Sequence, residues 1–150
     1  MESVLLTISK RCWKSSVTEF FVSIDPPRTT QQQHRISSAR GYPVFYDGEN
    51  LETAKKMLAV VLSTHRPREP YKGPVELTVE WRFRANRPHK DREWKVTRPD
   101  TDNLDKLLKD IMSKLGYWQD DAQVVREVIE KMWAKEPGIY IKIRELDKYK

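Results

Sequence analysis

The segment from Arg98 to Val125 constrains the fold of this chain most strongly, because it joins a helical apolar pattern to acidic residues at both ends. Apolar side chains recur there at the three- and four-residue spacing of one helix face. They are Leu104, Leu107, Leu108, Ile111 and Leu115. Asp102 or Asn103 can cap the first free amides, and Gly116 tolerates the left-handed conformation that ends a helix. The segment therefore predicts an amphipathic helix, with Asp105, Lys106, Lys109, Asp110 and Lys114 largely on its other faces.

Acidic residues stand at both ends of this predicted helix. Asp100 and Asp102 lie at its entrance, and Asp120 and Asp121 follow its exit after the aromatic pair Tyr117-Trp118. A strand that packs back along the helix would bring the two pairs together. Carboxylates repel by roughly 4 kcal/mol at ~4 Å with an effective dielectric near ~20, so a cation is expected between them. Mg²⁺ suits carboxylate oxygens, water and phosphate. Either pair alone is more often cap or turn chemistry, so spacing by itself supports the structural and catalytic interpretations about equally.

A resemblance to a known family decides between them. The chain reads Asp100-Thr-Asp102-Asn103-Leu104, then Lys106, then Trp118-Gln-Asp120-Asp121-Ala-Gln-Val124, which resembles the signature of the RusA family of Holliday junction resolvases. The likeness covers about the C-terminal half of the chain. It implies that Asp100, Asp102 and Asp121 are catalytic, metal-binding acids and that Lys106 is an essential lysine. Asp120 matches the acid beside the catalytic one, and by the same resemblance we predict it as a further metal ligand.

The same resemblance implies an activity and its requirements. The expected function is resolution of four-way DNA junctions by paired phosphodiester hydrolysis during recombination and repair, by a Mg²⁺-dependent crossover junction endodeoxyribonuclease. One or two Mg²⁺ ions are expected, with Mn²⁺ as a substitute, and the expected assembly is a homodimer. Apolar surface for such a dimer is predicted on the helix, on a terminal hairpin and at Trp118 and Trp133.

Length and charge agree with a nucleic-acid partner. A chain of 150 residues with 38% hydrophobic content suits one globular domain, residues 1–150. The net charge of +6 favours a polyanionic partner, and 33% charged residues of both signs argue against a disordered basic tail. The single Cys12 fits a reducing compartment, and the apolar run Val4-Leu5-Leu6 is too short for a membrane segment. We therefore expect a cytoplasmic protein of bacterial, prophage or phage origin, with no membrane partner.

The remaining pattern predicts a mixed sheet of about five strands and two main helices, an α/β (α+β) fold. Strands are predicted over Val17 to Asp25, Tyr42 to Tyr46, Val75 to Phe83, Gln123 to Trp133 and Ile139 to Ile143, with the first helix beginning after Asn50. Pro26-Pro27 ends the first strand because proline donates no ladder hydrogen bond. The turn at Glu136-Pro137-Gly138 predicts that the last two strands form a hairpin.

Two polar, basic segments, Arg28 to Arg40 and Ala85 to Pro99, lack strand and helix periodicity. Each is either a solvated loop or a DNA-backbone contact, and the second precedes the acidic helix entrance directly, which favours a contact that becomes ordered on binding. The candidate DNA-binding residues are Arg35, Arg40, Arg87, Lys90, Arg92, Lys95, Arg98 and Lys109. Trp94 either stacks on an exposed base or anchors its loop.

Three other functions compete with junction resolution. One is a different metal-dependent structure-specific nuclease at the same site, and another is a non-catalytic nucleic-acid-binding module in which Asp100 and Asp102 only cap the helix. A phosphate-transfer protein is disfavoured, because the chain has five glycines and no glycine-rich phosphate loop.

Overall fold

The structure, a computed structural model, describes residues 16–28, 35–37, 44–46 and 49–150. These residues form six strands, two α-helices and one 3₁₀ turn. In chain order the elements are β1 (Val17–Val22), β2 (Arg35–Ser37), β3 (Val44–Tyr46), α1 (Glu49–Ser63), β4 (Val75–Arg84), α2 (Thr101–Leu115), the 3₁₀ turn (Asp121–Gln123), β5 (Val124–Ala134) and β6 (Gly138–Glu145). No helix in these ranges is both long enough and apolar enough to cross a membrane.

The main sheet has four strands in the order β1-β6-β4-β5, and β2 pairs only with β3. β4 runs parallel to β5 and antiparallel to β6. The prediction of a mixed sheet with two helices is confirmed, with four strands in the main sheet in place of about five. β2 lies within the segment predicted as a loop, and β3 lies within the strand predicted over Tyr42 to Tyr46. Residues 29–34 and 38–43, with Arg40 among them, fall outside the described residues, as do Met1 to Ser15.

The predicted hairpin between the last two strands is wrong, because β4 lies between β5 and β6. β4 takes the centre because it buries a complete face. Its residues Val75, Leu77, Val79, Trp81 and Phe83 are at most 3% exposed. A strand with such an apolar face is best shielded from water when another strand pairs with it on each side. The turn between β5 and β6 reverses the chain locally, but it does not determine which strand lies next to them.

Helix α2 packs the predicted apolar face onto this core. Leu104, Leu107, Leu108 and Ile111 of that face are buried, Leu115 is partly buried, and Met112 is buried in addition. Its end is as predicted, since the left-handed Gly116 (φ 80°) donates its N–H to the carbonyl oxygens of Met112 and Ser113. Its start differs. The extended residue that precedes the helix is Asp100 in place of Asp102 or Asn103, and its side chain makes no capping hydrogen bond.

Two predictions about polar and aromatic exposure are wrong. Asp105 was predicted on an outer face of α2 but is 5% exposed. Trp118, predicted as apolar surface for a dimer, is 1% exposed, and its Nε1 donates to Ser113 Oγ at 2.7 Å. Trp118 is buried there with its indole N–H still hydrogen-bonded, as is usual for a buried tryptophan.

The loop from Ala85 to Pro99 is ordered along the outer edge of β5, so the prediction that it orders only on binding DNA does not hold. Arg92 N donates to Trp133 O at 2.7 Å, Trp133 N to Glu93 O at 2.8 Å, and Lys95 N to Lys131 O at 3.2 Å. These hydrogen bonds pair backbone N–H and C=O groups on the outer edge of β5 that would otherwise have no partner. The loop therefore leads into α2 along a fixed path.

Candidate active site

A cleft of about 530 Å³ opens between α2 and the start of β5. It is lined by Thr101, Asp102, Asp105, Lys106, Lys109, Asp110, Asp121, Glu127 and Ile129. Three of the four residues predicted to be catalytic, Asp102, Lys106 and Asp121, therefore face one space, together with Lys109, which was predicted to bind DNA. Asp100 is exposed at the entrance of α2 and does not line the cleft.

Asp102 and Asp121 are both exposed, and each lies at the start of a helical element. Asp102 lies in the first turn of α2, and Asp121 is the first residue of the 3₁₀ turn. Within the described ranges neither carboxylate takes part in a hydrogen bond or an ion pair. The positive end of the helix dipole favours an acid at the position of Asp102. The cleft thus offers two carboxylates that are open to a cation.

The side chain of the neighbouring acid Asp120 is hydrogen-bonded to the backbone. Its carboxylate accepts a hydrogen bond from Ala122 N at 2.8 Å, and its own N–H donates to Gln123 Oε1 at 3.1 Å. This reciprocal arrangement is a capping box for the 3₁₀ turn. Asp120 does not line the cleft. The geometry therefore supports a capping role for Asp120 more than the metal-ligand role predicted for it.

The carboxylates of the cleft fit a Mg²⁺ ion whose remaining ligands are water and substrate phosphate. No three acidic, histidine or cysteine side chains of the described residues are close enough together to hold a metal. The predicted ligands Asp100, Asp102 and Asp121 therefore do not form a ready-made group of three ligands. Mg²⁺ is commonly bound through one or two carboxylates, with waters and substrate phosphate as its other ligands. Asp102 and Asp121 provide such a pair.

A charged triad that the sequence did not predict forms one wall of the cleft. Lys109 Nζ lies 3.2 Å from Asp105 Oδ2 and 2.5 Å from Glu127 Oε1. It links α2 to β5. Lys109 was predicted to bind DNA, but its ammonium group is held by these two carboxylates. Burial raises the pKa of Asp105 to about 6, against the opposing effect of Lys109, and Glu127 adds to the increase. Asp105 Oδ1 is buried and has no hydrogen-bond partner among the described residues.

The raised pKa of Asp105 gives a prediction about stability. Folded Asp105 holds its proton up to a pH of about 6, whereas the unfolded chain releases it near 3.8. Between these values the native state binds more protons, so the free energy of unfolding falls as pH rises, by roughly 2 to 3 kcal/mol from this group. We expect Asp105→Asn to remove this fall. The measurement is urea unfolding of both proteins from pH 4 to pH 7.

The control for this prediction is Asp110→Asn, which removes the same charge from a less buried position of the same helix. The stability difference between Asp105→Asn and the unaltered protein should grow in favour of the variant as pH rises. A difference that is constant with pH would contradict a buried, protonated Asp105.

Exposed cations on the loop before α2 form a second feature of the site. We call this loop, residues 85–99, the basic platform. Arg87, Lys90, Arg92 and Arg98 are exposed on it, and Trp94 is 61% exposed beside them. Since the backbone of the platform is bonded to β5, these side chains project from a fixed support. Such exposed cations can contact DNA phosphates.

Lys95 differs from the other cations of the basic platform. It is 7% exposed, and its Nζ lies 4.4 Å from the ring centroid of Trp133 and 5.2 Å from that of Phe83. It donates to Thr97 Oγ1 at 2.5 Å. Burial, with the nearby Lys131 charge, lowers the pKa of Lys95. Its surroundings support an anchoring role for the platform more than the predicted DNA contact.

Salt dependence of DNA binding separates the two kinds of lysine. We expect Lys90→Gln combined with Arg92→Asn to weaken binding and to lower the slope of log K against log salt by up to about one per residue. Asparagine is chosen because Arg92 has a positive φ of 64°, which asparagine tolerates. Lys95→Met should leave the slope unchanged. Fluorescence anisotropy of a labelled junction at several salt concentrations measures this, and equal slopes in all three proteins would remove the platform from the interface.

Comparison with known proteins agrees with this site. A family model described as Endodeoxyribonuclease RusA matches residues 25–144. The Crossover junction endodeoxyribonuclease rusA of Lactococcus phage r1t is 35% identical over 130 residues, which cover 85% of this chain and 98% of the phage protein. The Uncharacterized protein YqaN of Bacillus subtilis (strain 168) is 32% identical over 127 residues, which cover 77% of this chain and 89% of that protein. RusA-type nucleases depend in general on divalent metal ions. The family model and the phage relative both match most of the chain, and the acids and the lysine of the site face one cleft. This chain therefore belongs to the RusA family of endodeoxyribonucleases.

Proposed function

We propose that this protein is a Mg²⁺-dependent endodeoxyribonuclease that resolves four-way DNA junctions during recombination and repair. The observation that carries the proposal is the cleft in which two open carboxylates, Asp102 and Asp121, face the same space as Lys106. The name of the phage relative, a crossover junction endodeoxyribonuclease, supports the junction as substrate. DNA as substrate makes the cytoplasm the proposed location, and the phage relative supports a phage or prophage origin.

Asp102 and Asp121 are proposed to hold the metal from opposite sides of the cleft. Asp100 is proposed as a third ligand, since its side chain is not used in capping α2 and is free to turn. When bound, Mg²⁺ supplies positive charge to the scissile phosphate and a water of lowered pKa. Mn²⁺ is a hard cation that can take the same carboxylate ligands. The chain supplies the carboxylate oxygens that fix where this charge acts.

Lys106 is proposed to stabilise negative charge on the phosphate during hydrolysis. It is exposed in the cleft, one helical turn after Asp102, and makes no ion pair within the described ranges. Lys109, one further turn along, is held between Asp105 and Glu127. Of the two lysines in the cleft, Lys106 is therefore the one whose ammonium group can turn toward DNA. A fixed positive charge aimed at developing negative charge is an effective form of catalysis.

The DNA path is proposed to run from the basic platform into the cleft. Arg87, Lys90, Arg92 and Arg98 would contact phosphates on the approach to Asp100 and Asp102. Arg35 lies in β2. Arg35 and Arg40 both remain candidate DNA contacts by their positions in the sequence. This path places sequence-independent backbone contacts beside the cleavage site, as expected for an enzyme that recognises DNA shape.

Cleavage of a synthetic four-way junction tests the proposal directly. The junction, a three-way junction, a flap and a linear duplex are each incubated with Mg²⁺, with Mn²⁺ and with chelator. We expect metal-dependent cuts in the four-way junction, and none from Asp102→Asn protein purified in parallel. Cutting of the flap in preference to the junction would indicate a different structure-specific nuclease, and binding without metal-dependent cutting would indicate a non-catalytic module.

A further inference from the structure

The side-chain amide of Gln123 uses its full hydrogen-bonding capacity. Its Oε1 accepts from Gln119 N at 2.8 Å and from Asp120 N at 3.1 Å. Its Nε2 donates to Tyr71 O at 2.9 Å and to Gly73 O at 3.0 Å. A glutamine amide has two donors and one acceptor oxygen with two lone pairs, so all four positions are filled. Nothing in the catalytic mechanism described above requires this degree of order.

These four bonds join two parts of the chain that are distant in sequence. The acceptor side closes the turn that carries Asp120 and Asp121, and the donor side fixes this turn to the segment from Tyr71 to Gly73, just before the central strand β4. A backbone hydrogen bond from Tyr71 N to Tyr117 O at 2.9 Å joins the same segment to the residues just after α2. The turn is thereby fixed to the core of the sheet.

Asp121 needs such support, because its own side chain is exposed and makes no hydrogen bond within the described part of the chain. Its position in the cleft is set by the backbone of the 3₁₀ turn. Gln123 is the last residue of that turn and does not line the cleft. It can therefore influence the site only through the backbone that it holds.

We infer that Gln123 is a positioning residue that holds Asp121 at the distance needed to share a cation with Asp102. The inference rests on the proposed function, since it takes Asp121 as a metal ligand. Groups that orient metal ligands typically change metal affinity or activity by about 10- to 100-fold when they are replaced. The effect of losing Gln123 should therefore fall on metal binding and turnover, and DNA affinity should be unchanged.

Gln123→Glu is the sharpest test, because it keeps the size of the side chain and an acceptor oxygen in the place of Oε1 but loses both donors. The carboxylate would face the carbonyl oxygens of Tyr71 and Gly73, which is unfavourable for an unpaired acceptor. Gln119→Glu is the matched control. It makes the same charge change two residues before the 3₁₀ turn, but only the backbone N–H of Gln119 takes part in the network.

The primary measurement is Mn²⁺ binding by electron paramagnetic resonance, without DNA, followed by the Mg²⁺ dependence of cleavage. For Gln123→Glu we expect Mn²⁺ affinity to fall by about 10- to 100-fold and half-saturating Mg²⁺ to rise in parallel, with excess Mg²⁺ restoring part of the rate. Junction affinity in chelator should not change. Gln119→Glu should match the unaltered protein in all three measurements.

Gln123→Met provides a second, uncharged variant, and circular dichroism with thermal unfolding confirms that each variant is folded at the assay temperature. Folded Gln123 variants that bind Mn²⁺ as the unaltered protein does, while Asp121→Asn loses binding, would overturn the inference and leave the proposed function intact. Unchanged Mn²⁺ binding in Asp121→Asn itself, with no cleavage by the unaltered protein, would instead overturn the proposed function and the inference together.

Discussion

Asp121→Asn is expected to reduce junction cleavage by about a hundredfold or more, because a metal ligand contributes several kcal/mol and each 1.36 kcal/mol is about tenfold in rate. Asp121 lines the cleft and is open to a cation. Asparagine keeps the shape of the side chain but removes the charge that offsets the cation. DNA binding in chelator should persist, since the change also removes a negative charge that repels phosphate.

Asp120→Asn is the matched comparison, one residue earlier at the N-cap of the same turn, and should retain most of the activity. The carboxylate of Asp120 accepts from Ala122 N, and an asparagine oxygen can accept the same bond. Asparagine and aspartate are about equally good as helix caps. Asp120→Ala should cost about 1 kcal/mol of stability through loss of the cap.

Single-turnover cleavage and gel-shift binding in chelator, performed on both variants, separate catalysis from affinity. Complete and equal loss of cleavage in Asp120→Asn and Asp121→Asn would mean that the capping bond seen for Asp120 is exchanged for metal ligation when DNA binds. Retained cleavage in Asp121→Asn would place the metal elsewhere.

The elements that the sequence predicted well are those whose pattern is local. The spacing of Leu104, Leu108 and Ile111 determines the buried face of α2, and the alternation of Val75 through Phe83 determines that of β4. The order of strands depends on contacts between segments far apart in the chain. The predicted hairpin failed for this reason, since the turn at Pro137 does not reveal that β4 enters between its two strands.

The candidate site divides in the same way. The acids and lysine of the signature were recognisable, and Asp102, Lys106 and Asp121 share one cleft. The environment of Lys109 was not predictable, because Glu127 reaches it from another element. For Asp105, an acidic residue type indicated exposure, but its position between buried leucines places it at the edge of the apolar face. Gln123 carried no signal beyond its place in the signature, since the carbonyl oxygens that accept its two N–H groups lie before β4.

Assembly leads to the second large effect. A four-way junction has approximate two-fold symmetry, and resolution requires two cuts in strands of like polarity. Each chain supplies one pair of open acids, Asp102 and Asp121, in the described ranges. A homodimer with two-fold symmetry would present two such sites about the axis of the DNA. We therefore propose a homodimer on symmetry alone, since Trp118, one of the aromatic residues predicted as dimer surface, is buried.

Mixed dimers test this proposal. Active chains are co-refolded with about a tenfold excess of Asp102→Asn chains, so that most active chains of a two-fold dimer have an inactive partner. Cuts per junction are then counted on a supercoiled cruciform plasmid, where one nick gives an open circle and two paired cuts give a linear product. We expect open circles to replace linear product almost completely, while the junction is still bound, because each mixed dimer retains both DNA-binding surfaces and only one intact acidic cleft. Active chains refolded alone at the same total concentration should continue to give linear product. Undiminished linear product from the mixture, or a monomer mass by light scattering at the assay concentration, would contradict the dimer.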